Sequence, residues 1–470
     1  MKKTLNTAFT VFFILTAVFL SACAENENEK NTAIPEEKTT KNFKDRSGQT
    51  VEDLAALFDD SALNCSVDPI LNIETFTQEY LDSYILGVDI SSIIEVEKAG
   101  GKFYDNDRYR VGDVMELLSW YGINWVRIRL WNDPYTANGE PYGAGTNCIE
   151  KAIEIGKRAK KWNMKILLNY HYSDFWAHPD QQARPKAWLH LETAEEVAEE
   201  LKEYTRETLI RMYNEGAMPD MVQIGNETLG GIAGIRDDSA SRANEKIVFR
   251  AGLEAVREIS AEYNYPIQTM LHVTNGMSTT SWWFGVMKDL DFDVIGLSFY
   301  PMWHGRRVAF QAGLRNLATI YKKPICILEY SASYTPQGGS PNGSNMYGGS
   351  NADTITFTDS GEDRTIIAQA QVVRNMNNDI MNSTFIDGVR YGIGAFWWEP
   401  AWLPLNGTGW VFAAASEWYQ MDLPGKTTST RTYNNGTVTW ANQAFFSFTG
   451  TALPSLNAFL QMMGKPPREP

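Results

Sequence analysis

The chain has 470 residues, and its 57 Asp and Glu against 42 Lys and Arg give a formal charge of −15. So acidic a protein repels phosphate, which argues against nucleic acid as a partner. A hydrophobic fraction of 43% allows a large buried core, and 15 Trp with 21 Tyr supply flat rings of the kind that stack on sugar faces.

In chain order, Lys2 and Lys3 precede an apolar run over 8–20. That run is shorter than the roughly 20 residues of a membrane-spanning helix, so it reads as a signal peptide. It ends in Leu20-Ser21-Ala22-Cys23, which resembles the bacterial lipobox. Cys23 would then carry the lipid and begin the mature chain; an ordinary signal with an incidental Cys is the alternative. This predicts an exported bacterial lipoprotein of the outer membrane or cell surface, touching the membrane only through Cys23. Residues 1–23 form the signal, and 24–50 are polar, mixed in charge and poor in aromatics, hence a flexible linker. Residues 51–83 are expected to pack on the following domain as an N-terminal extension.

Beyond Cys23 the cysteines are Cys65, Cys148 and Cys326, an odd number with no metal-ligand spacing. Cys326 falls in an apolar strand pattern and reads as a core thiol. A Cys65–Cys148 disulfide is compatible with an oxidising compartment but not dictated by the sequence.

From 84 to 470 short apolar segments alternate with helical patterns. Strands are predicted at 85–90, 125–130, 165–170, 221–225, 268–273, 294–299, 325–328 and 392–397, with helices that include 113–121, 148–161, 194–214, 243–263, 308–321 and 365–381. The rhythm implies a parallel sheet, and eight units imply an α/β fold, a single (β/α)8 TIM barrel. A doubly wound open sheet is the runner-up, but no glycine-rich nucleotide turn follows the first strand. Segment 404–441 is expected to form a loop with short strands, and 453–463 a final helix. A monomer is expected.

The strand ends carry Asp89, Arg127 and Arg129, His171, Asn226 with Glu227, His272, Tyr300, Glu329, and Trp398 with Glu399. Active sites of such barrels lie at that rim, so one composite site is the simplest reading. Glu227 and Glu329 follow apolar runs and are the candidate catalytic carboxylates. Glycoside hydrolysis needs such a pair, one to protonate the leaving oxygen and one to attack the sugar or activate water. The bland alternative is a structural ion pair with Arg127 or Arg129. Under the chemical reading Glu329 is the nucleophile, kept ionised by one of those arginines. Glu227 is the acid/base and must hold its proton near neutral pH. Asn226 would donate to the sugar 2-hydroxyl, and Tyr300 would orient Glu329.

These residues resemble the retaining (β/α)8 glycosidases of clan A, and within them the endo-β-1,4-galactanases of glycoside hydrolase family 53. The segments that carry the resemblance are GVDISS from Gly87, VRIRLWNDP from Val126, NYHYSDFWAHPDQQARPKAW from Asn169, SFYPMWHG from Ser298, LEYSASYT from Leu328 and FWWEPAWLP from Phe396. The resemblance implies retention of configuration, with Glu227 as acid/base and Glu329 as nucleophile. It implies β-1,4-galactan, the side chain of pectin (type I arabinogalactan), as substrate, and no required cofactor. Asp89, His171, Trp176, Trp303, His304, Trp398 and Glu399 lie in the matching segments and would line the subsites. The family also carries an optional structural calcium near the seventh loop. Asp353, Asp359, Glu362 and Asp363 offer hard oxygens there, but solvated loop acids are the alternative and no ligands are assigned.

The chain departs from the family pattern at GNETLGGIAG after the fourth strand, at the Tyr-Ser after Glu329, and in the long loop 336–363. These departures bear on endo against exo action and on product length. Competing readings are a mannanase or glucanase on the same carboxylates, and a non-catalytic glycan-binding lipoprotein.

Overall fold

The computed structural model describes residue 77 and residues 81–106, 110–338, 352–427 and 439–466. The signal, the linker, Cys65 and nearly all of the extension over 51–83 lie outside the described residues. Among the described residues the strands are β1 (Ile85–Asp89), β2 (Trp125–Leu130), β3 (Lys165–Tyr170), β4 (Met221–Ile224), β5 (Gln268–Thr274), β6 (Val294–Ser298), β7 (Ile325–Tyr330), β8 (Phe385–Ile386), β9 (Val389–Arg390) and β10 (Gly392–Trp398). Eight of them close a parallel barrel in the order β1-β10-β7-β6-β5-β4-β3-β2, and β8 with β9 forms a separate hairpin. All eight predicted barrel strands are present, with ends shifted by no more than two residues.

Each barrel strand is buried on both faces, which is why it reads as a nearly continuous apolar run. The inward residues follow a period of two. The barrel floor is an apolar layer that includes Trp125, Leu167, Met221, Met270 and Cys326. Two residues further along the respective strands, Arg127, Asn169, Gln223 and His272 form a polar layer above it. The core position predicted for Cys326 is therefore met. Gly87 allows β1 and β10 to close, because a Cβ there would come within 2.4 Å of the Phe396 ring.

The outer helices match the predicted ones closely. Ala194–Asn214 opens with a capping box, in which the Thr193 hydroxyl accepts the Glu196 N–H and the Glu196 carboxylate accepts the Thr193 N–H. Helices Ile93–Lys98 and Met277–Met287 add to the expected set. The described part of 404–441 forms helix Ala415–Gln420 and turns in place of the expected strands. The final helix is split, because Pro454 opens a short 3-10 turn before Asn457–Met462. Cys148 is buried beside the Tyr135 hydroxyl at 3.6 Å, and its pairing with Cys65 falls outside the described residues.

Candidate active site

Arg127 points inward from β2 and is fully buried at the centre of the polar layer. Its Nη1 donates to Asp89 Oδ2 at 2.8 Å and to Glu329 Oε1 at 2.7 Å. Its Nε donates to Gln223 Oε1 at 3.1 Å, and its Nη2 to Asn226 Oδ1 at 2.8 Å. One guanidinium therefore ties together β1, β2, β4 and β7. Its charge is retained despite burial because Glu329 and Asp89 lie against it.

Glu329 reaches this position through an irregularity in β7. Ile327 pairs with Leu297 of β6, but the next pair is Ser298 with Glu329, so Leu328 is an extra residue. Cys326 and Leu328 both pack into the barrel floor. Strict alternation would turn Glu329 outward; the bulge turns it in. There Oε1 accepts from Arg127 and Oε2 accepts from the Tyr300 hydroxyl at 2.9 Å. Burial, followed by the charges of Glu329 and Glu227, pushes the Tyr300 hydroxyl well above its usual range, so it stays a donor.

Glu227 follows β4 in the left-handed conformation, φ 48° and ψ 51°. A side chain larger than glycine held there costs about 1–3 kcal/mol and signals a constraint. The turn is held by Gln182, whose Nε2 donates to the carbonyls of Asn226 at 2.9 Å and Glu227 at 3.2 Å. Burial, then the neighbouring Glu329 charge, raises the Glu227 carboxyl to about 8, while the Ser298 hydroxyl and Arg127 pull it back down. Oxygens of Glu227 and Glu329 lie within 4.8 Å of each other. Retaining glycosidases hold their carboxyls roughly 5–5.5 Å apart and inverting ones roughly 6.5–9.5 Å, so the spacing belongs to the retaining class.

His272 lies within the same 4.8 Å, and among the described residues this trio alone is dense enough in acidic and imidazole groups to suggest a metal. Its hydrogen bonds do not suit one. Nδ1 accepts from Gln223 Nε2 at 2.9 Å and from the Glu227 N–H at 3.1 Å, so Nε2 keeps the proton and donates to Ser298 Oγ at 2.9 Å. Neither ring nitrogen retains a lone pair for a cation. Burial, then Arg127, keeps the ring neutral. Because Ser298 accepts from His272, its own hydrogen is directed to Glu227.

The other predicted contacts divide into two groups. Arg129 pairs with Asp89 at 3.3 Å and Glu399 at 2.7 Å, and Glu399 Oε2 accepts from Ser92 Oγ at 2.5 Å. Burial raises Glu399 to about 7 against the pull of Arg129. Asp89, Arg127, Arg129, His272 and Glu399 are no more than 1% exposed and are bonded to other protein groups. These five, expected as substrate contacts, are buried and spend their hydrogen bonds on other protein groups, Arg127 and His272 within the polar layer and Arg129 with Glu399 at the ends of β2 and β10. It is Arg127, not Arg129, that serves Glu329.

The second group comprises His171, Asn226, Trp176, Trp398, Trp303 and His304. His171 Nδ1 accepts the Ala177 N–H at 3.1 Å, whereas its buried Nε2 has no protein partner among the described residues. One N–H of Asn226 goes to the Ala177 carbonyl at 2.9 Å, leaving its second hydrogen for the sugar hydroxyl expected of it. Trp176 and Trp398 lie over the Arg129 guanidinium, at 4.8 and 5.8 Å from their ring centres. Trp440 continues the aromatic row from Trp398, at 5.3 Å, to Trp303, at 5.7 Å. His304 accepts the Tyr300 N–H through Nδ1 at 2.9 Å, and burial lowers it to about 4.

Sequence reasoning missed Gln223, Asn169, Ser298, Trp410 and Trp440. For Gln223 a signal existed, as a lone amide inside the apolar strand Met221–Ile224. Trp410 and Trp440 lie on loops far from any strand end. Of the acids considered for calcium, Asp359 is bound by Arg374 and Asn375, and Asp363 pairs with Arg364 at 3.3 Å. Among the described residues the four acids form no cluster of ligands, and 339–351 lie outside those residues.

The glycosyl hydrolase family 53 model matches residues 85–459, which spans the whole barrel and both glutamates. The endo-β-1,4-galactanase of Bacillus subtilis (strain 168) is 36% identical over 395 residues, 80% of this chain and 85% of that protein. The arabinogalactan endo-β-1,4-galactanase of Cellvibrio japonicus (strain Ueda107) is 30% identical over 68% of this chain and 81% of its own. Among solved structures, the Ignisphaera aggregans GH53 catalytic domain superposes with a TM-score of 0.70 at 30% identity, covering 84% of this chain and 99% of that domain. A closed barrel, two inward glutamates at retaining distance and a family match across both lead to one assignment: the chain belongs to glycosyl hydrolase family 53.

Proposed function

We propose that this enzyme hydrolyses β-1,4-galactosidic bonds in galactan by a retaining double displacement, with Glu227 as acid/base and Glu329 as nucleophile. The observation that carries the reading is the contrast between two carboxylates within 4.8 Å. Glu329 is held by two donors from Arg127 and Tyr300, and Glu227 is raised to about 8 and therefore protonated at neutral pH. Glu227 gives its proton to the leaving oxygen while Glu329 attacks the anomeric carbon. Attack neutralises Glu329 as an ester, which removes one of the two influences holding Glu227 protonated. The Glu227 carboxylate then takes a proton from the incoming water, and the ester is hydrolysed. The two carboxylates and water suffice, with no cofactor. The substrate follows from the galactanases to which the chain is similar.

Proton NMR of a digest of linear β-1,4-galactan tests substrate and stereochemistry together. The β-anomer is expected first, followed by mutarotation; initial α-anomer would overturn the retaining assignment. The pH profile tests the roles. With Glu227 at about 8, kcat/KM should fall as pH rises through that value. The Ser298 hydroxyl lowers Glu227, so Ser298→Ala should move the basic limb to higher pH and leave the acidic limb in place. A limb that stays or moves down would contradict the geometry.

Lys2, Lys3, the apolar run and Leu20-Ser21-Ala22-Cys23 support export with a lipid anchor on Cys23. Cys23→Ala should shift the protein from the detergent-extracted membrane fraction to the soluble one, and an unchanged distribution would count against the anchor.

A further inference from the structure

On the Glu227 side of the site, loops after β3, β4, β5 and β6 enclose a cavity of about 500 Å³. Leu229 and Gly230, just beyond Glu227, form part of its wall. Gly230 is required there, because a Cβ would come within 1.9 Å of the Pro179 carbonyl oxygen. An acid/base protonates the leaving oxygen, so a cavity walled by the segment that follows it lies on the leaving-group side. Trp303, 41% exposed, offers it an aromatic surface.

The rest of the lining is charged. Arg236 and Arg242 both face this cavity, with Asp180 as the one acid among its described lining residues. In a chain of net charge −15, two guanidinium groups around one cavity call for an explanation. Among the described residues each meets one carboxylate, Arg236 through Nε to the exposed Asp238 at 3.0 Å and Arg242 through Nη1 to the buried Glu245 at 2.7 Å. Arg242 also lies 5.6 Å from the centre of the Trp282 ring. The buried pair holds Arg242, and the contacts leave Nη1 and Nη2 of Arg236, and Nε and Nη2 of Arg242, without a protein partner among the described residues. Guanidinium groups with unused N–H donors match the planar geometry of a carboxylate. Asp180 can accept from sugar hydroxyls beside it.

We propose that this cavity binds the leaving-group part of the substrate and favours one that carries a carboxylate, a uronic or aldonic acid unit, held by Arg236 and Arg242. The proposal rests on the galactanase reading, and adds a charge preference on one side of the cleavage point.

The test compares β-1,4-galactotetraose oxidised at its reducing end to the aldonate with the same tetraose reduced to the alditol. Both have open-chain ends and differ in charge. At low salt the aldonate should show kcat/KM roughly fivefold higher, a gap that shrinks as ions screen the arginines. Arg236→Gln should bring the ratio near one, and Arg236→Lys should restore part of it. Arg242→Gln should act in the same direction, but Arg236 is the cleaner probe because it is 62% exposed and its loss leaves no buried partner. Equal rates for the two tetraoses in the parent enzyme, or a ratio that neither glutamine variant changes, would overturn the proposal. Failure to cleave galactan or either tetraose would instead count against the galactanase reading. In that event, calorimetry of the intact protein with galacturonate against galactose decides the cavity: preferential, salt-sensitive binding of the acid supports it, and equal binding overturns it.

Discussion

Glu329→Gln and Glu227→Gln should each lower kcat on galactan by about 10²–10⁴-fold or more, while leaving the fold intact. Both substitutions keep the side-chain shape. In Glu329→Gln the new amide oxygen would still accept from Tyr300, and Arg127 would keep its pair with Asp89 at 2.8 Å. The two losses should differ in character. An aryl galactoside with a good leaving group needs no proton in the first step, so Glu227→Gln should still form the glycosyl-enzyme and then stall. Added azide should restart it by attacking the ester without a base. Glu329→Gln has no nucleophile and should gain nothing from either change. Variants within tenfold of the parent on galactan would end the two-carboxylate mechanism, and azide rescue of Glu329→Gln in place of Glu227→Gln would reverse the roles.

The second large effect is expected at Arg127. Arg127→Met leaves Asp89 without its closest cation and Glu329 without the only one it pairs with among the described residues, in a layer almost closed to solvent. Removing one partner of a buried ion pair costs about 3–5 kcal/mol, so urea unfolding should show a loss of that order along with loss of activity. Arg127→Lys separates charge from geometry. A single ammonium cannot reproduce the three nitrogens that meet Glu329, Asp89, Gln223 and Asn226. It should recover much of the stability yet remain at least about tenfold down in kcat, because Glu329 and Asn226 lose their shared anchor. Parental kcat in Arg127→Lys would mean that the fork does not position the nucleophile.

The layer that holds the glutamates extends well beyond them. The connection from Glu329 through Arg127, Gln223, His272 and Ser298 to Glu227 is continuous. Every member but the half-buried Glu227 is buried, where an unpaired polar group is costly, so each is fixed by its neighbours. This gives the Ser298→Ala prediction its direction. The His272 tautomer is set by two N–H donors, and it aims the serine hydrogen at the carboxyl of the acid.

Much of this was legible in the chain itself. Strands buried on both faces produce apolar runs, and the runs ending at Asp89, Tyr170 and Trp398 mark the rim because polar groups gather there. The glutamates stood out as charges at the ends of such runs. Gln223 was marked only as a lone amide in the apolar strand Met221–Ile224, and Ser298 not at all, since small polar residues within strands are common and nothing local distinguishes one that bonds His272 from one that is merely tolerated. Trp410 and Trp440 were unreadable because loops lack the periodicity that assigns a side chain to a face.

By itself the sequence determined the number and order of the barrel strands, the rim they share and the identity of the two carboxylates, because burial and periodicity are written residue by residue. Only the tertiary structure decided which arginine serves Glu329, how far apart the carboxylates lie and which groups push Glu227 up. Those depend on contacts between strands distant in sequence. The bulge at Leu328 is the plainest case. Alternation counted from Cys326 sends Glu329 out of the barrel, and the extra residue, which only pairing with β6 and β10 reveals, brings it in.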